Sequence, residues 1–217
     1  MKLRDLAERI GTYWHRHGTF ATLQFLGGRV VRHQRHLVFE AVLDTAPDDV
    51  SWLEGERLTV INRANVDSAI GADLREFLGG DAAADNLQGI RGGDELFVVA
   101  QGSQYHHCGY ILFRTKQTRI IGEPQNPPLI ACCLTVPAAR GRGLYRRALI
   151  AELRHLWDRG YRRIVIETSP GNLPSRKGIE AAGFRFCREV SAWIVLNCLV
   201  YQKRIESSGA RRRLILL

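Results

Sequence analysis

Apolar positions along the chain follow two rhythms. Between residues 57 and 136 they fall in short runs. Residues 57–61 (RLTVI), 95–100 (ELFVVA), 107–114 (HCGYILFR) and 129–136 (LIACCLTV) read as strands, with a short one at 118–121. Their short connections predict antiparallel pairing. Residues 36–43 (HLVFEAVL) form an earlier strand, followed by a loop over 44–54, and residues 65–77 read as a helix stopped at Gly79 and Gly80. The rhythm then changes. Over 144–159, Tyr145, Ala148, Leu149, Leu153, Leu156 and Trp157 make one helical stripe, closed by Gly160. Residues 163–168 (RIVIET) have the apolar centre of a strand covered on both faces, 175–182 read as a short helix, and 184–196 and 198–205 as closing strands.

Strand, helix, strand over 129–168 is a βαβ unit placed after an antiparallel run. That mixture predicts an α+β fold, with helices packed on a mostly antiparallel sheet. At the N-terminus, Leu3, Leu6, Ile10 and Trp14 share a stripe over residues 2–17, and 19–26 are apolar up to the break at Gly27 and Gly28. The division that follows is an N-terminal extension over 1–50, a main domain over 51–206 and a basic tail over 207–217.

Composition narrows the class. The chain has 217 residues, 45% apolar and 24% charged, with 21 Gly and 7 Pro. Whole-chain disorder and collagen-like repeats are excluded, and no staple is needed for a core. No stretch is long and apolar enough for a membrane helix, and residues 1–16 lack the apolar core of a signal peptide. Five cysteines, none at metal-ligand spacing, predict a reduced, cytoplasmic protein with no metal.

The net charge of +9 is unevenly placed: +1 over 1–50, −5 over 51–100, +6 over 101–150 and +7 over 151–217. A localised basic excess marks an anionic partner: phosphate, nucleic acid or lipid headgroup. No recognised nucleic-acid motif accompanies it, and aromatics do not interleave with the basic runs. Residues 19–35 and the RRRLILL tail could touch a membrane surface from the cytoplasmic side, or pack on the core.

The segment VPAARGRGLYRR, 136–147, lies between a strand and the long amphipathic helix. Gly141 and Gly143 let the backbone turn tightly and approach a ligand. The free N–H groups and dipole of the helix start then suit a pyrophosphate. Arg146 and Arg147 serve equally as a solvated helix face. A dinucleotide loop would need a third glycine, and a Walker loop a GK[ST] ending; both are absent.

What remains is R-x-x-G-x-small, and here the sequence resembles the GNAT family of N-acetyltransferases from about residue 129 to 184. The second matching stretch is Asn172-x-x-Ser175 followed by Ala182-Gly183-Phe184. The resemblance implies acetyl-CoA, or another acyl-CoA, as cosubstrate. The backbone of Leu134, Thr135 and Val136 would pair with the pantetheine arm. Arg140, Gly141, Arg142, Gly143, Leu144 and Tyr145 would hold the pyrophosphate. Asn172 and Ser175 would line the thiol end. It further implies that strands 129–136 and 163–168 splay apart to form the slot, with helices on both sheet faces. Two positions depart from the family pattern: Tyr145 stands where a small residue is usual, and Ile179 where the family often has a Tyr acid. Ser175, Tyr145 or water would then protonate the thiolate. A GNAT subgroup linked to bacterial polysaccharide biosynthesis is also similar, through Gly109-Tyr110, the prolines at 124, 127 and 128, and the RGRGLY loop.

Amine acetylation needs an acceptor for the amine proton. Glu167 follows an apolar strand centre near the slot's open end. His107 and His106 begin a strand, and Glu123 lies beside a proline turn. Cys132 and Cys133 read as buried sheet cysteines, and the four Trp as core. The expected reaction is direct acetyl transfer to a primary amine of a small molecule or amino sugar, drawn in by the acidic 51–100 segment. A nucleic-acid- or ribosome-associated protein of the same fold, acetylating RNA-linked or protein amines, is the alternative, as is a non-catalytic binding module. A homodimer is compatible with the extension.

Overall fold

The computed structural model describes residues 31–113, 115–123, 126–196, 199–206 and 209–217. The sequence readings on residues 1–30, including the helical stripe through Trp14, lie outside the described residues.

Among the described residues, nine strands form one sheet in the order β2-β3-β4-β5-β6-β1-β7-β8-β9, and of their pairs only β5 and β6 run parallel. In chain order the strands are β1 Val31–Val42, β2 Glu56–Ile61, β3 Glu95–Gln101, β4 Gln104–Leu112, β5 Leu129–Thr135, β6 Arg163–Thr168, β7 Arg185–Val195, β8 Leu199–Glu206 and β9 Gly209–Leu216. The helices are α1 Ser68–Leu78, α2 Gly80–Gly92, α3 Lys116–Ile120, α4 Leu144–Asp158 and α5 Leu173–Ala181, with a 3-10 turn at Pro137–Ala139. The α+β reading, with a mostly antiparallel sheet, is what the structure shows.

Alternation along the strands assigns the two faces. Phe39, Phe97, Ile111, Ile130, Ile164 and Ile166 point to one side, where Leu149, Leu153 and Leu156 of α4 and Ile179 of α5 cover them. Val38, Leu129, Val165 and Val190 point to the other, beneath Ile121 just after α3. Leu96, Val98 and Tyr110 continue that second face under Leu74 of α1 and Leu87 and Ile90 of α2. Each fully buried Leu or Ile contributes roughly 1.5–3 kcal/mol relative to exposure.

Several elements differ from the sequence expectation. Residues 31–42, placed in an extension, form β1, inserted between β6 and β7 and paired with both. Residues 118–121, read as a strand, are the end of α3 and its C-cap Ile121; the Thr115 side chain caps the start of that helix by accepting from the Gln117 N–H at 3.2 Å. Helix α2 begins at Gly80 itself: Gly79, at φ +84°, ends α1 and starts a second helix where a stop was expected. The tail residues 209–216 form β9. Register places Arg211 opposite Arg204 and Arg212 opposite Lys203, an unfavourable like-charge pairing. Ile215 and Leu217 offset it by packing on Ile120, Ile194 and Val200. Trp193 is not core: it is 46% exposed on β7 and stacks on His33.

A buried ion cluster ties α3 to the sheet. Arg163 on β6 donates to Glu123 at 2.7 and 3.0 Å and to Glu40 on β1 at 2.9 Å, and Arg188 on β7 also bonds Glu123. Glu123 is 3% exposed, so this sequence candidate for a base is occupied structurally. Burial opposes its charge, but hydrogen bonds and charge from Arg163 and Arg188 outweigh that and hold its pKa below the usual 4.5. Its stabilising contribution is therefore present above the unfolded pKa and lost as pH falls through the folded one. Glu123→Ala strands two arginines and should cost ~3–5 kcal/mol in urea unfolding at pH 7. The cost should shrink as the pH is lowered into the acid limb.

Candidate functional site

The slot begins where β5 and β6 part. Their parallel register contains only Leu129↔Val165 and Ile130↔Ile166. Beyond it β5 stays with β4, through Cys108↔Leu134 and His107↔Thr135. A register break against β4 accompanies the parting, and Cys132 takes φ +53°, a left-handed conformation unusual for a non-glycine residue. The bulge turns Cys132 outward. It is exposed and Cys133 half-buried, which corrects the reading of both as buried sheet cysteines. The expected splay of these two strands is present. The Val136 N–H is used on the β4 side, donating to the His106 carbonyl at 3.0 Å. The backbone groups facing the gap are then those of Cys133 and Thr135.

The glycine loop stands at the mouth of this gap. Gly141 and Gly143 both have positive φ, +76° and +68°, and α4 starts at Leu144 with no side-chain cap. Its first-turn N–H groups are thus available to an anion. The arginines divide. Arg140 donates to the Thr135 carbonyl at 3.0 Å, and Arg146 to the Ala181 carbonyl at 2.8 Å. Arg147 donates to the Arg142 carbonyl at 2.8 Å and pairs with Glu56 at 2.7 Å. Arg140 and Arg147 therefore brace the loop and Arg146 ties α4 to the end of α5, leaving the exposed Arg142 side chain turned to solvent.

Tyr145 replaces the small residue of the loop pattern, and the structure shows where its bulk goes. The ring crosses to α5 and lies over Gly178, where a Cβ would collide with it. Its hydroxyl meets Ser175 Oγ at 3.2 Å. Asn172 is the N-cap of α5, accepting from the Ser175 N–H at 3.2 Å. Tyr145, Ser175 and Asn172 are thus brought together beside the slot, on the α4 face. Burial pushes the Tyr145 pKa up, so its hydroxyl keeps its proton.

The two proton-acceptor candidates lie on opposite faces. His107 faces α4 and is fully buried, its Nδ1 2.8 Å from Thr135 Oγ1 and its ring 5.7 Å from that of Tyr145. Desolvation lowers its pKa to about 4. Glu167, one strand position past Ile166, faces the other side. It accepts from Gln117 Nε2 of α3 at 2.6 Å and contacts His36 Nδ1 of β1. Sequence reading missed His36 and Gln117, because neither strand order nor α3 was visible. It also missed Glu152 of α4. The stripe of α4 carried the only available signal: Glu152 falls on the buried side, three residues after Leu149 and one before Leu153. His106 lines a cavity of about 360 Å³ with Asp73, Glu76, Phe77, Tyr105, Val136 and Ala138.

Against known proteins, no family model matches the sequence and no curated protein matches it. Solved structures do. A GCN5-related N-acetyltransferase from Sphaerobacter thermophilus superposes with a TM-score of 0.53 at 16% identity, covering 88% of this chain and 58% of that one. A GCN5-related N-acetyltransferase-like protein from Streptococcus suis gives 0.50 at 14%, covering 82% and 67%. A tandem GNAT protein from the clavulanic acid biosynthesis pathway gives 0.57 at 13%, covering 80% and 57%. The chain spans less than two thirds of the first and third. The fold is therefore that of the GNAT acetyltransferases: an open, mostly antiparallel sheet with helices on both faces.

The buried His107 yields a direct check. Across pH 5–8 its imidazole should remain neutral in nitrogen-15 NMR spectra, titrating only near pH 4. A midpoint near 6.5 would contradict the burial that holds it neutral.

Proposed function

We propose that the protein transfers an acetyl group from acetyl-CoA to a primary amine. The parting of β5 from β6 directly beside an uncapped helix start carries this reading. It supplies a strand edge for an extended amide-bearing arm and, at its mouth, donors for a pyrophosphate. Gly141, Gly143 and the N–H groups of Leu144 and Tyr145 would hold the pyrophosphate, aided by Arg142. The gap edge of β5, chiefly at Thr135, would align the arm.

Acetyl-CoA supplies an activated acyl group as a thioester. The chain's own residues handle protons on the two sides of the gap. Glu167, oriented by Gln117 and His36, takes the proton from the attacking amine, directly or through water. Tyr145 and Ser175, on the α4 side, return one to the sulfur. This division follows from the faces on which those groups stand, and each transfer is worth ~10²–10⁴-fold. The acceptor is a small cationic amine, an amino sugar among the candidates, drawn toward Asp73 and Glu76 of α1. Polysaccharide precursors belong in that class.

Thiol release from acetyl-CoA across amino sugars, polyamines, amino acids and peptides tests the reading. Gly143→Glu, which puts bulk and negative charge into the loop, should abolish acetyl-CoA binding by calorimetry. A variant that binds like the parent would refute the cosubstrate. Glu167→Gln should lower kcat by ~10²–10⁴-fold while acetyl-CoA affinity stays within the error of the parent's.

A further inference from the structure

Glu152 has no place in the chemistry above, yet its burial as an unpartnered acid is costly. It is fully buried on α4, and both its carboxyl oxygens lack a hydrogen-bond partner among the described residues. Its carboxyl rests directly on Gly109 of β4, where any Cβ would collide with Oε1. The same absent Cβ would lie 3.4 Å from Cys133 Sγ. The backbone of β4 is therefore cut back to glycine at the one point where this acid enters, beside the bulge that opens the slot. Native cores rarely keep an orphaned polar group without a use for it.

Its surroundings name that use. The titratable groups within electrostatic reach are the thiols of Cys133 and Cys108 and the hydroxyl of Tyr145. His107, two residues from Gly109 on the same face, is also buried, and its Nε2 is likewise unpartnered. From β3 come the apolar Phe97 and Val99, while Glu95 is held at the far end of α4 by His155 and Arg159. From α5 come Ile179 and the Ser175 hydroxyl that meets Tyr145. Among the described residues no cation compensates a charge at Glu152.

We propose that Glu152 is a positioning residue for the thiol side of the slot, acting in its neutral, protonated form behind Tyr145 and Ser175. The proposal rests on the acetyl-transfer reading. A neutral acid leaves the Tyr145 hydroxyl free of a neighbouring anion, so its proton can pass through Ser175 to the departing sulfur. In that step the carbon–sulfur bond breaks with its electron pair on sulfur. The Ser175 O–H then breaks as S–H forms, Ser175 is reprotonated by Tyr145, and Tyr145 later by solvent. An ionised Glu152 would hold the Tyr145 proton more tightly and repel a thiolate. Desolvation alone raises the Glu152 pKa to about 8, so the neutral form prevails at pH 7 and is lost above pH 8.

Two measurements test this, the first independent of acetyl-CoA. Infrared difference spectra of the parent against Glu152→Gln should show a protonated carboxylic acid at pH 7 that ionises near pH 8; a carboxylate already present at pH 6 overturns the proposal. Second, calorimetry should show CoA, whose thiol ionises at about pH 8.5, losing affinity by about threefold more than acetyl-CoA between pH 7 and 9, the loss that about one pKa unit of repulsion between the thiolate and ionised Glu152 produces. In Glu152→Gln that excess should vanish. An unchanged excess in the variant also overturns the proposal. If acetyl-CoA binds the parent at no pH, the acetyl-transfer reading fails, while the infrared result still decides the state of Glu152.

Discussion

The separation of two parallel strands after only two matched pairs of residues governs the rest of the architecture. Beyond Ile130 and Ile166, β5 and β6 no longer satisfy each other's backbone. A buried strand edge with open N–H and C=O groups is costly, so the surroundings must keep it reachable by water or a ligand. The bulge at Cys132 bends β5 toward β4, and α4 and α5 start on either side of the gap. The uncapped start of α4 is the same kind of unmet demand. Two sets of orphan donors thus converge on one opening, and a ligand with an extended amide arm and an anionic end answers both.

Holding the strands apart requires support from outside the βαβ unit. It comes from β1, which pairs with β6 on one side and β7 on the other. Arg163, at the start of β6, is fastened to Glu40 of β1 and Glu123 after α3. Glu167, at the other end of β6, meets His36 of β1 and Gln117 of α3. One strand and one short helix therefore grip β6 at both ends: a buried ion cluster fixes the closed end, and a smaller polar group lines the open one. The same contacts that hold β6 in place also orient the Glu167 carboxylate at the open end of the gap.

The legible part of this fold was its local part. Glycines 141 and 143 between an apolar strand and an amphipathic helix state the loop, because it depends on residues within one turn; the Asn172 cap of α5 is just as local, yet the sequence reading started that helix at 175 and did not include it. Strand order is non-local. Residues 36–43 read as a strand, but nothing in them says that they insert between β6 and β7, so an extension was expected where a central strand stands. Residues 118–121 are apolar enough for a strand, and only the Thr115 cap decides for a helix. Residues 207–217 read as a basic tail, and contacts of Ile215 and Leu217 across the sheet hold residues 209–216 in a strand despite the like charges facing each other between β8 and β9. Glu167 was identifiable from its position after an apolar run, whereas its partner His36 is 131 positions away in sequence and required the sheet.

Tyr145 shows how one departure from a pattern propagates. A small residue at the first turn of α4 would leave the gap's wall to the backbone. A tyrosine there needs space, and Gly178 of α5 provides it by having no side chain to oppose the ring. Once the ring lies across α5, its hydroxyl reaches Ser175, and Ile179 need not carry a polar group; it is instead fully buried in the core. At position 145 the phenol lies within electrostatic reach of Cys133 and Glu152. The substitution at position 145, the glycines at 109 and 178 and the acid at 152 therefore form one arrangement, in which each residue makes sense only beside the others.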